Sequence, residues 1–209
     1  MEFQLILSDV DSTLIEQEVI DLLGEYAGKG AEVADITSRA MAGSLDFRSA
    51  LEERVGLLAG QNSSILKEVT KRITLSPGAL ELKEYCRRKG IMFGAVTGGF
   101  LQVLSNIEFF QDLDYVAGNS LEIDAGVLTG KVIEPIIDRQ AKADHLRSFA
   151  LRYGVDIEKT IAIGDGANDL LMIQSAGLGV AYNAKPILRD AANLSIQGNL
   201  KELIRAISH

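Results

Sequence analysis

Hydrophobic residues recur along the chain with two different spacings, and the change between them divides the sequence into parts. Residues 1–14 and 76–209 contain short apolar runs, typical of buried strands, which alternate with segments of helical spacing. Residues 15–75 show helical spacing alone and predict four short helices packed as a small bundle. The pattern therefore predicts an α/β fold, a doubly wound, Rossmann-like parallel sheet with a helical-bundle cap inserted after the first strand.

Beyond residue 76 the alternation is regular enough to predict individual elements. The expected helices cover residues 79–89, 100–110, 139–153, 167–176 and 199–207. The expected strands cover residues 91–97, the neighbourhood of Val116, 160–164 and 178–181, with a hairpin turn near 124–126. Within the predicted bundle, Asp46 precedes an apolar helical stripe and is a candidate N-cap residue.

Aspartates, a threonine and glycines, which are candidate catalytic or ligand-binding residues, follow three of the apolar runs. They are Asp9, Asp11, Thr97, Gly98, Gly99, Asp165 and Asp169. Because open α/β sheets bind ligands outside the carboxyl ends of their strands, we expect these residues to lie together. Acids held close together repel each other, so such a cluster needs a cation or shifted pKa values. The alternative interpretation is that the aspartates belong to ordinary turns and helix starts, where Asp is common.

Four short motifs occur in an order that resembles the haloacid dehalogenase-like phosphohydrolase superfamily. They are DVDST at 9–13, VTGG at 96–99, the single residue Lys142, and GDGAND at 164–169. Further features are similar to the phosphoserine phosphatases of that superfamily, namely Glu18, the segment 41–47, Arg54 and the segment 184–188. One departure is Thr97, where many members have Ser; the hydroxyl is kept, with an extra methyl group. The resemblance covers nearly the whole chain and implies a catalytic core of residues 1–14 and 76–209 with a cap of residues 15–75.

The scarcity of histidine and cysteine limits the available chemistry. Two histidines and one cysteine give little support to a serine-hydrolase triad or to a zinc site. His145 is expected to be structural or solvated, and Cys86 is expected to be a packing residue. Carboxylates remain as nucleophiles, and an aspartate needs no activating base because it is already ionised at pH 7.

The pair Asp9 and Asp11 suits a two-step transfer of a phosphoryl group. Attack of Asp9 on phosphorus would form an aspartyl-phosphate, and Asp11 would protonate the leaving alkoxide and then activate water. The family resemblance implies the same two roles. Lys142 would balance the charge of Asp9 and the phosphate, while Thr97 and the Gly98 N–H would hold phosphate oxygens.

Mg²⁺ is the expected cofactor, because the predicted cluster offers hard oxygen ligands. The expected ligands are Asp9, Asp165 and the backbone carbonyl of Asp11. Asp169 is expected at the same metal site, either beside these ligands or orienting a metal-bound water. The resemblance implies two further substrate-binding residues, Gly99 and Asn168.

Substrate selection is expected to come from the cap. Phosphoserine carries an ammonium, which suits Glu18, and a carboxylate, which suits the bidentate fork of Arg54. The alternative for these two charges is an ordinary exposed pair on a helix bundle. Phe47 is either an apolar lid over the leaving serine or a part of the bundle core. A helical insertion over the sheet edge could open and close, which would exclude water during the first half-reaction.

The composition is that of an acidic globular protein. The 209 residues are 47% hydrophobic and carry a formal net charge of −8, which argues against nucleic acid or an anionic membrane as partner. No apolar run approaches the ~18 residues of a membrane span, and the N-terminus has no signal-peptide pattern. We therefore expect a cytoplasmic monomer or homodimer that acts on a small-molecule phosphomonoester.

The predicted function is Mg²⁺-dependent hydrolysis of O-phospho-L-serine to L-serine and phosphate, the last step of serine biosynthesis. One alternative is a related phosphatase or phosphotransferase that uses another small phosphomonoester, or that passes phosphate to an alcohol such as homoserine. A third possibility is a non-enzymatic receiver-like switch with a phosphorylated aspartate. Asp11 and the helical insertion argue against the switch, since a long-lived phosphoaspartate gains nothing from an adjacent acid.

Overall fold

A sheet of seven strands organises the computed structural model, which describes residues 2–41 and 44–208. The strands are β1 Leu5–Ser8, β2 Met92–Phe100, β3 Tyr115–Asp124, β4 Val127–Ile133, β5 Thr160–Gly164, β6 Leu178–Tyr182 and β7 Leu194–Ile196. Their order across the sheet is β4–β3–β2–β1–β5–β6–β7, with every pair parallel except β3 and β4. The centre of the sheet is β1, between β2 and β5, so its carboxyl end is the switch point where such sheets bind ligands.

The helices of the described part alternate with the strands after a first group that follows β1 directly. They are α1 Val19–Tyr26, α2 Gly30–Met41, α3 Phe47–Gly56, α4 Ile65–Glu68, α5 Ala79–Lys89, α6 Leu101–Leu104, α7 Glu108–Gln111, α8 Arg139–Tyr153, α9 Leu170–Ser175, α10 Pro186–Arg189 and α11 Lys201–Ile207. Short 3₁₀ turns cover Val69–Arg72, Ile157–Lys159 and Ala167–Asp169. Within the described ranges, none of these helices combines the length and the apolar character needed to cross a bilayer.

Alternating side chains of β1 divide the hydrophobic core into two layers. Ile6 packs in one cluster with residues of α5 and α11, whereas Leu5 and Leu7 pack in a second cluster with residues of α8 and α9. Helices therefore cover both faces of the sheet, as the continuous apolar runs of its central strands require. The predicted class, an α/β doubly wound sheet, is confirmed, and the antiparallel strand β4 adds an edge to it.

The helices α1 to α4 form an insertion whose two ends lie side by side. Ile15 pairs with Leu75 in an antiparallel bridge. The Ser76 N–H donates to the carbonyl of Leu14 at 2.9 Å, and the Glu16 N–H donates to that of Thr74 at 2.9 Å. The chain thus leaves and re-enters the sheet region at neighbouring points. These points coincide with the predicted boundaries of the cap, which remain a prediction as domain limits.

The hairpin predicted near residues 124–126 is confirmed. Its turn consists of Ala125 and Gly126, whose φ angles are +47° and +81°. Two consecutive positive φ angles give the turn type whose twist matches that of the flanking strands. The side chain of Asp46 also behaves as predicted, since it accepts a hydrogen bond from the Ser49 N–H at 3.0 Å and caps α3.

The outer edge of β4 is covered by the segment between α3 and α4. The Gly60 N–H donates to the carbonyl of Leu128, and the Leu128 N–H donates to that of Gln61, both at 2.9 Å. The Ser63 N–H donates to the carbonyl of Gly126 at 2.8 Å. The insertion is therefore attached to the sheet at a second place, distant in sequence from its two ends.

Several predicted boundaries were wrong. The helix expected over 100–110 is two short helices, α6 and α7, because the side-chain amide of Asn106 donates to the carbonyl of Gln102 at 2.7 Å and ends α6. Strand β2 continues to Phe100 instead of ending at 97, and β7 was not predicted. Ala42 and Gly43, which belong to the segment 41–47, and His209, one of the two histidines, lie outside the described residues.

Candidate active site

Three acids meet at the carboxyl end of the central strands. Asp9 follows β1, and its N–H donates to the carbonyl of Ile163 in β5 at 2.9 Å. Asp165 follows β5, and Asp169 comes one turn later. One carboxylate oxygen from each acid lies within 4.8 Å of the others. The structure thus brings together the carboxylates of three of the four predicted metal-site residues.

Lys142 lies inside this group of acids. Its Nζ atom donates to Oδ1 of Asp9 and to Oδ1 of Asp169, each at 2.6 Å, and its side chain is 1% exposed. The lysine is in the first turn of α8, which begins after Asp138, and the Asp138 carboxylate accepts from the Ala141 N–H at 2.8 Å. The N-cap therefore fixes the helix turn that delivers the ammonium to the sheet edge.

Burial and mutual repulsion control the charges in this group. Burial, and then the negative charge of Asp169, raise the pKa of the Asp9 carboxyl well above its usual range, while the Lys142 ammonium opposes this. Burial alone would lower the pKa of Lys142, but Asp169 and Asp9 outweigh it and raise that pKa. The lysine is therefore held as a cation, and the acids around it attract further positive charge.

The three acids differ in how their oxygens are occupied. Oδ2 of Asp169 accepts from the N–H groups of Asp165 and Gly166 at 3.2 and 3.1 Å, and its Oδ1 accepts from Lys142. Asp165 is partly exposed, and burial followed by the charge of Asp169 raises its pKa to about 7. Carboxylate oxygens of this kind fit Mg²⁺, which prefers hard oxygen ligands and few protein groups. The occupied oxygens of Asp169 suit an orienting role better than direct ligation.

The Asp11 carboxylate is not part of the three-acid group and forms hydrogen bonds elsewhere, one of them with the insertion. Its Oδ1 accepts from the Val19 N–H at 2.8 Å, and its Oδ2 accepts from the Thr97 hydroxyl at 2.6 Å. Burial, and next the charge of Glu18, raise the pKa of Asp11 to about 6, against the lowering effect of those two hydrogen bonds. A carboxyl group with such a pKa can exchange a proton near neutral pH.

The segment Thr97-Gly98-Gly99, an irregular stretch of β2 called the 97–99 turn below, lies against Asp11. The Gly99 N–H donates to the Thr97 hydroxyl oxygen at 2.7 Å. A Cβ on Gly99 would lie 2.8 Å from Oδ2 of Asp11, and one on Gly98 would lie 3.1 Å from Cζ of Phe47. A side chain at Gly99 would therefore crowd the Asp11 carboxylate, and one at Gly98 would need a small shift of the Phe47 ring. The helix expected to follow this segment begins at Leu101, one residue later than predicted, and has four residues.

Glu18 and Arg54, which were predicted to bind the substrate, are close to Asp11. The Glu18 carboxylate accepts from the Ser12 hydroxyl at 2.7 Å. Nε of Arg54 donates to the carbonyl of Ala50 at 3.0 Å, which leaves part of the guanidinium fork for other partners. Burial lowers the pKa of Arg54, while nearby carboxylates, Asp21 foremost, oppose that change. The insertion thus places a carboxylate and a guanidinium near Asp11.

Two residues at the site were not predicted. The Ser12 hydroxyl holds Glu18, and Ser12 itself has φ of +56°, a conformation that non-glycine residues adopt rarely. Asn119, on β3, is fully buried and bonds the backbone at Gly98 and Ile137. Its position on the buried side of an alternating strand was the available signal, since buried amides need partners.

The remaining predicted residues are less directly involved. Asn168, between Gly166 and Asp169, is partly buried. His145 lies away from the acids, where its Nδ1 is 2.5 Å from the hydroxyl of Tyr115. Cys86 is buried in the core, and burial raises the pKa of its thiol to about 12. The expectations for His145 and Cys86, a structural and a packing role, agree with these positions.

Comparison with known proteins defines the class. A family model described as haloacid dehalogenase-like hydrolase matches residues 6–174. The chain belongs to this family. The match includes both aspartate motifs, the turn at 97–99 and Lys142.

Relatives within this family are named phosphoserine phosphatases. The phosphoserine phosphatase SerB2 of Mycobacterium tuberculosis is 48% identical over 193 residues, which cover 92% of this chain and 47% of that protein. The phosphoserine phosphatase of Streptococcus thermophilus is 48% identical over 192 residues, which cover 92% of this chain and 89% of that protein. The chain therefore spans about half the length of the first relative and most of the second.

Solved structures of phosphoserine phosphatases are also similar to this chain. A substrate-bound phosphoserine phosphatase complex superimposes with a TM-score of 0.92 at 38% identity, covering 99% of each chain. A phospho-aspartyl intermediate analogue of phosphoserine phosphatase gives a TM-score of 0.91 at 38% identity, covering 99% of this chain and all of the other. The fold of the chain is thus the fold of these proteins.

Proposed function

We propose that this chain is a Mg²⁺-dependent phosphoserine phosphatase that hydrolyses O-phospho-L-serine through an aspartyl-phosphate. The observation that carries the proposal is the division of two neighbouring carboxylates between different surroundings. Asp9 contacts the Lys142 ammonium, whereas Asp11 contacts Thr97 and a backbone N–H of the insertion. Two acids with separate surroundings can take separate roles, one as nucleophile and one as acid and base.

Asp9 is proposed as the nucleophile. Its Oδ1 is bound by Lys142, so its second oxygen is the one available to attack phosphorus. The same ammonium would balance the negative charge that the phosphate brings to the site. Thr97, Gly98, Gly99 and Asn168 are proposed to hold the phosphate oxygens, with Thr97 released in part from Asp11 when the substrate binds.

Asp11 is proposed to protonate the leaving serine oxygen and then to take a proton from the attacking water. Its pKa of about 6 keeps a usable fraction of both protonation states near neutral pH. The hydrogen bond from the Val19 N–H fixes the carboxylate on the side of the insertion, where the serine part of the substrate would lie. The phosphoaspartate needs the same group as a base, so one residue serves both half-reactions.

Mg²⁺ is proposed to be held by Asp9, Asp165 and the backbone carbonyl of Asp11, with Asp169 orienting this shell. When bound, the ion supplies positive charge to the phosphate oxygens. The acids fit this role because three of them converge within 4.8 Å and a single lysine among the described residues lies between them.

Residues 15–75 are proposed to act as a cap that selects the substrate. Glu18 would bind the ammonium of phosphoserine and Arg54 its carboxylate. The Phe47 ring lies beside Gly98, since its Cζ would be 3.1 Å from a Cβ built there, and it would close the apolar side of the site above the 97–99 turn. Oligomeric state and cytoplasmic location stay predictions from the sequence.

The first experiment is a phosphate-release screen over small phosphomonoesters with Mg²⁺, repeated in EDTA and after Mg²⁺ is restored. We expect phosphoserine to be the best substrate and EDTA to abolish turnover reversibly. Asp9→Asn should be inactive, because an amide is a poor nucleophile. Full activity of this variant, or of the wild type in metal-free buffer, would contradict the proposal. Homoserine added as acceptor separates hydrolysis from phosphate transfer.

The second experiment tests substrate recognition by replacing, one at a time, two arginines of helix α3. Arg54→Ala should lose about 30-fold or more in kcat/KM for phosphoserine, since removing a buried charge-assisted bond costs about 2–5 kcal/mol. Hydrolysis of p-nitrophenyl phosphate should be retained in large part. Arg48→Ala is the matched control, because Arg48 is exposed and pairs with Glu134. Equal losses on both substrates would mean that Arg54 supports the fold or the phosphate site instead.

A further inference from the structure

Asn119 is a buried amide whose two polar atoms are both occupied. Its side chain is inaccessible to solvent. Nδ2 donates to the carbonyl of Gly98 at 2.8 Å, and Oδ1 accepts from the Ile137 N–H at 2.7 Å. Because one partner is an acceptor and the other a donor, only one orientation of the amide satisfies both.

The first of these bonds begins a hydrogen-bonded chain that ends on the proposed acid. The carbonyl of Gly98 and the N–H of Gly99 belong to one planar peptide group. That N–H donates to the Thr97 hydroxyl oxygen at 2.7 Å, and the hydroxyl donates to Oδ2 of Asp11 at 2.6 Å. The orientation of one peptide plane therefore decides where the Thr97 hydroxyl points its proton.

The second bond reaches the segment that leads to the proposed charge-balancing lysine. Ile137 directly precedes Asp138, the N-cap of α8, and Lys142 lies in the first turn of that helix. Asn119 thus ties the turn beside Asp11 to the start of the helix that carries Lys142. Neither connection involves a residue of the insertion.

We infer that Asn119 is a positioning residue for the proton transfer by Asp11, acting through the Gly98–Gly99 peptide and Thr97. The inference rests on the proposed phosphatase function. An aspartate at position 119 could still accept from Ile137 but could not donate to Gly98. Alanine would supply neither bond and would leave both backbone groups buried without a partner.

The test uses leaving groups that differ in their need for a proton. Phenyl phosphate and phosphoserine release poorly stabilised oxyanions, whereas p-nitrophenyl phosphate releases a well stabilised one. We expect Asn119→Asp and Asn119→Ser to lose about 10- to 100-fold in kcat/KM for the first two substrates. For p-nitrophenyl phosphate the loss should be about threefold or less. The quantity kcat/KM is chosen because it reports only the steps up to formation of the aspartyl-phosphate.

Gln102→Ala is the matched control. The Gln102 amide also bonds a donor and an acceptor of β3, both on Leu121, at 3.2 and 2.8 Å, but it does not bond the turn 97–99. We expect this variant to keep its kcat/KM for all three esters within about twofold. Circular dichroism would establish that each variant is folded at the assay temperature.

Equal losses on phenyl and p-nitrophenyl phosphate would overturn the inference, and so would a Gln102→Ala variant with the same pattern. Failure of both Asn119 variants to fold would also count against it, since positioning predicts a folded protein with impaired proton transfer. If the wild type releases phosphate from none of the esters, the proposed function itself has failed. An active wild type with unaffected Asn119 variants contradicts this inference alone.

Discussion

Replacing Lys142 by Met should destabilise the protein strongly in metal-free buffer. The ammonium is 1% exposed, and the side chains of Asp9 and Asp169 that it bonds are 4% and 0% exposed. Methionine keeps much of the apolar stem but leaves two buried carboxylates without their cation. Removing one partner of a buried ion pair costs about 3–5 kcal/mol. We expect the upper part of that range, because a single cation serves two anions here.

The assay is urea unfolding followed by circular dichroism in EDTA and then in Mg²⁺. For a domain of this size, a loss of about 3–5 kcal/mol also lowers Tm by about 6–20 °C. Mg²⁺ should stabilise Lys142→Met more than the wild type, because the ion replaces the missing positive charge. Lys89→Met is the control; Lys89 is exposed, so its loss should change stability by about 0.5 kcal/mol or less.

A second substitution makes the test stricter. Asp9→Asn in the Lys142→Met background removes one of the two uncompensated carboxylates, so the double variant should be more stable than Lys142→Met alone. The reasoning is refuted if Lys142→Met unfolds within about 1 kcal/mol of the wild type without metal. It is also refuted if Asp9→Asn destabilises the Lys142→Met variant further.

Two further predictions concern Gly118 and His145. A Cβ on Gly118 would lie 3.0 Å from Cγ2 of Thr97, so Gly118→Ala should lower kcat/KM about tenfold by displacing the hydroxyl, and adding Thr97→Ser should restore most of it. Burial lowers the pKa of His145, so its folded pKa lies below its unfolded value and its stabilising effect, present above pH ~6.5, is lost as pH falls. Urea unfolding at several pH values should therefore show the wild type losing stability relative to His145→Gln between pH ~7.5 and 5.5. A difference that is constant with pH would contradict this, as would an unrescued Gly118→Ala variant for the first prediction.

The parts of the fold that sequence could predict depend on local interactions. The helix over 139–153 and the strand over 160–164 were placed correctly because their limits are local: Asp138 caps the helix, Gly154 follows it, and Gly164 ends the strand. Asp46 was identified for the same reason. The split of the helix expected over 100–110 depends on one side-chain bond from Asn106, which competes with the helix without changing its apolar spacing.

The sequence was sufficient to predict which residues form the site, but not which hydrogen bonds join them. Strand ends located Asp9, Asp11, Thr97 and Asp165 at one edge, since that follows from the parallel topology. Which oxygen contacts which donor depends on rotamers and on residues distant in sequence. Asn119 is the clearest case, because both of its partners lie on other elements and no short motif contains it.

The attachment of the insertion to β4 limits how the insertion can move. A rigid body fastened at two separate places retains a single rotation, about the line that joins them. Here one place is the paired segments at 14–16 and 74–76, and the other is the bonding of 60–63 to the hairpin. Shortening the β3–β4 hairpin would remove the second attachment, so the insertion would gain further degrees of freedom relative to the sheet.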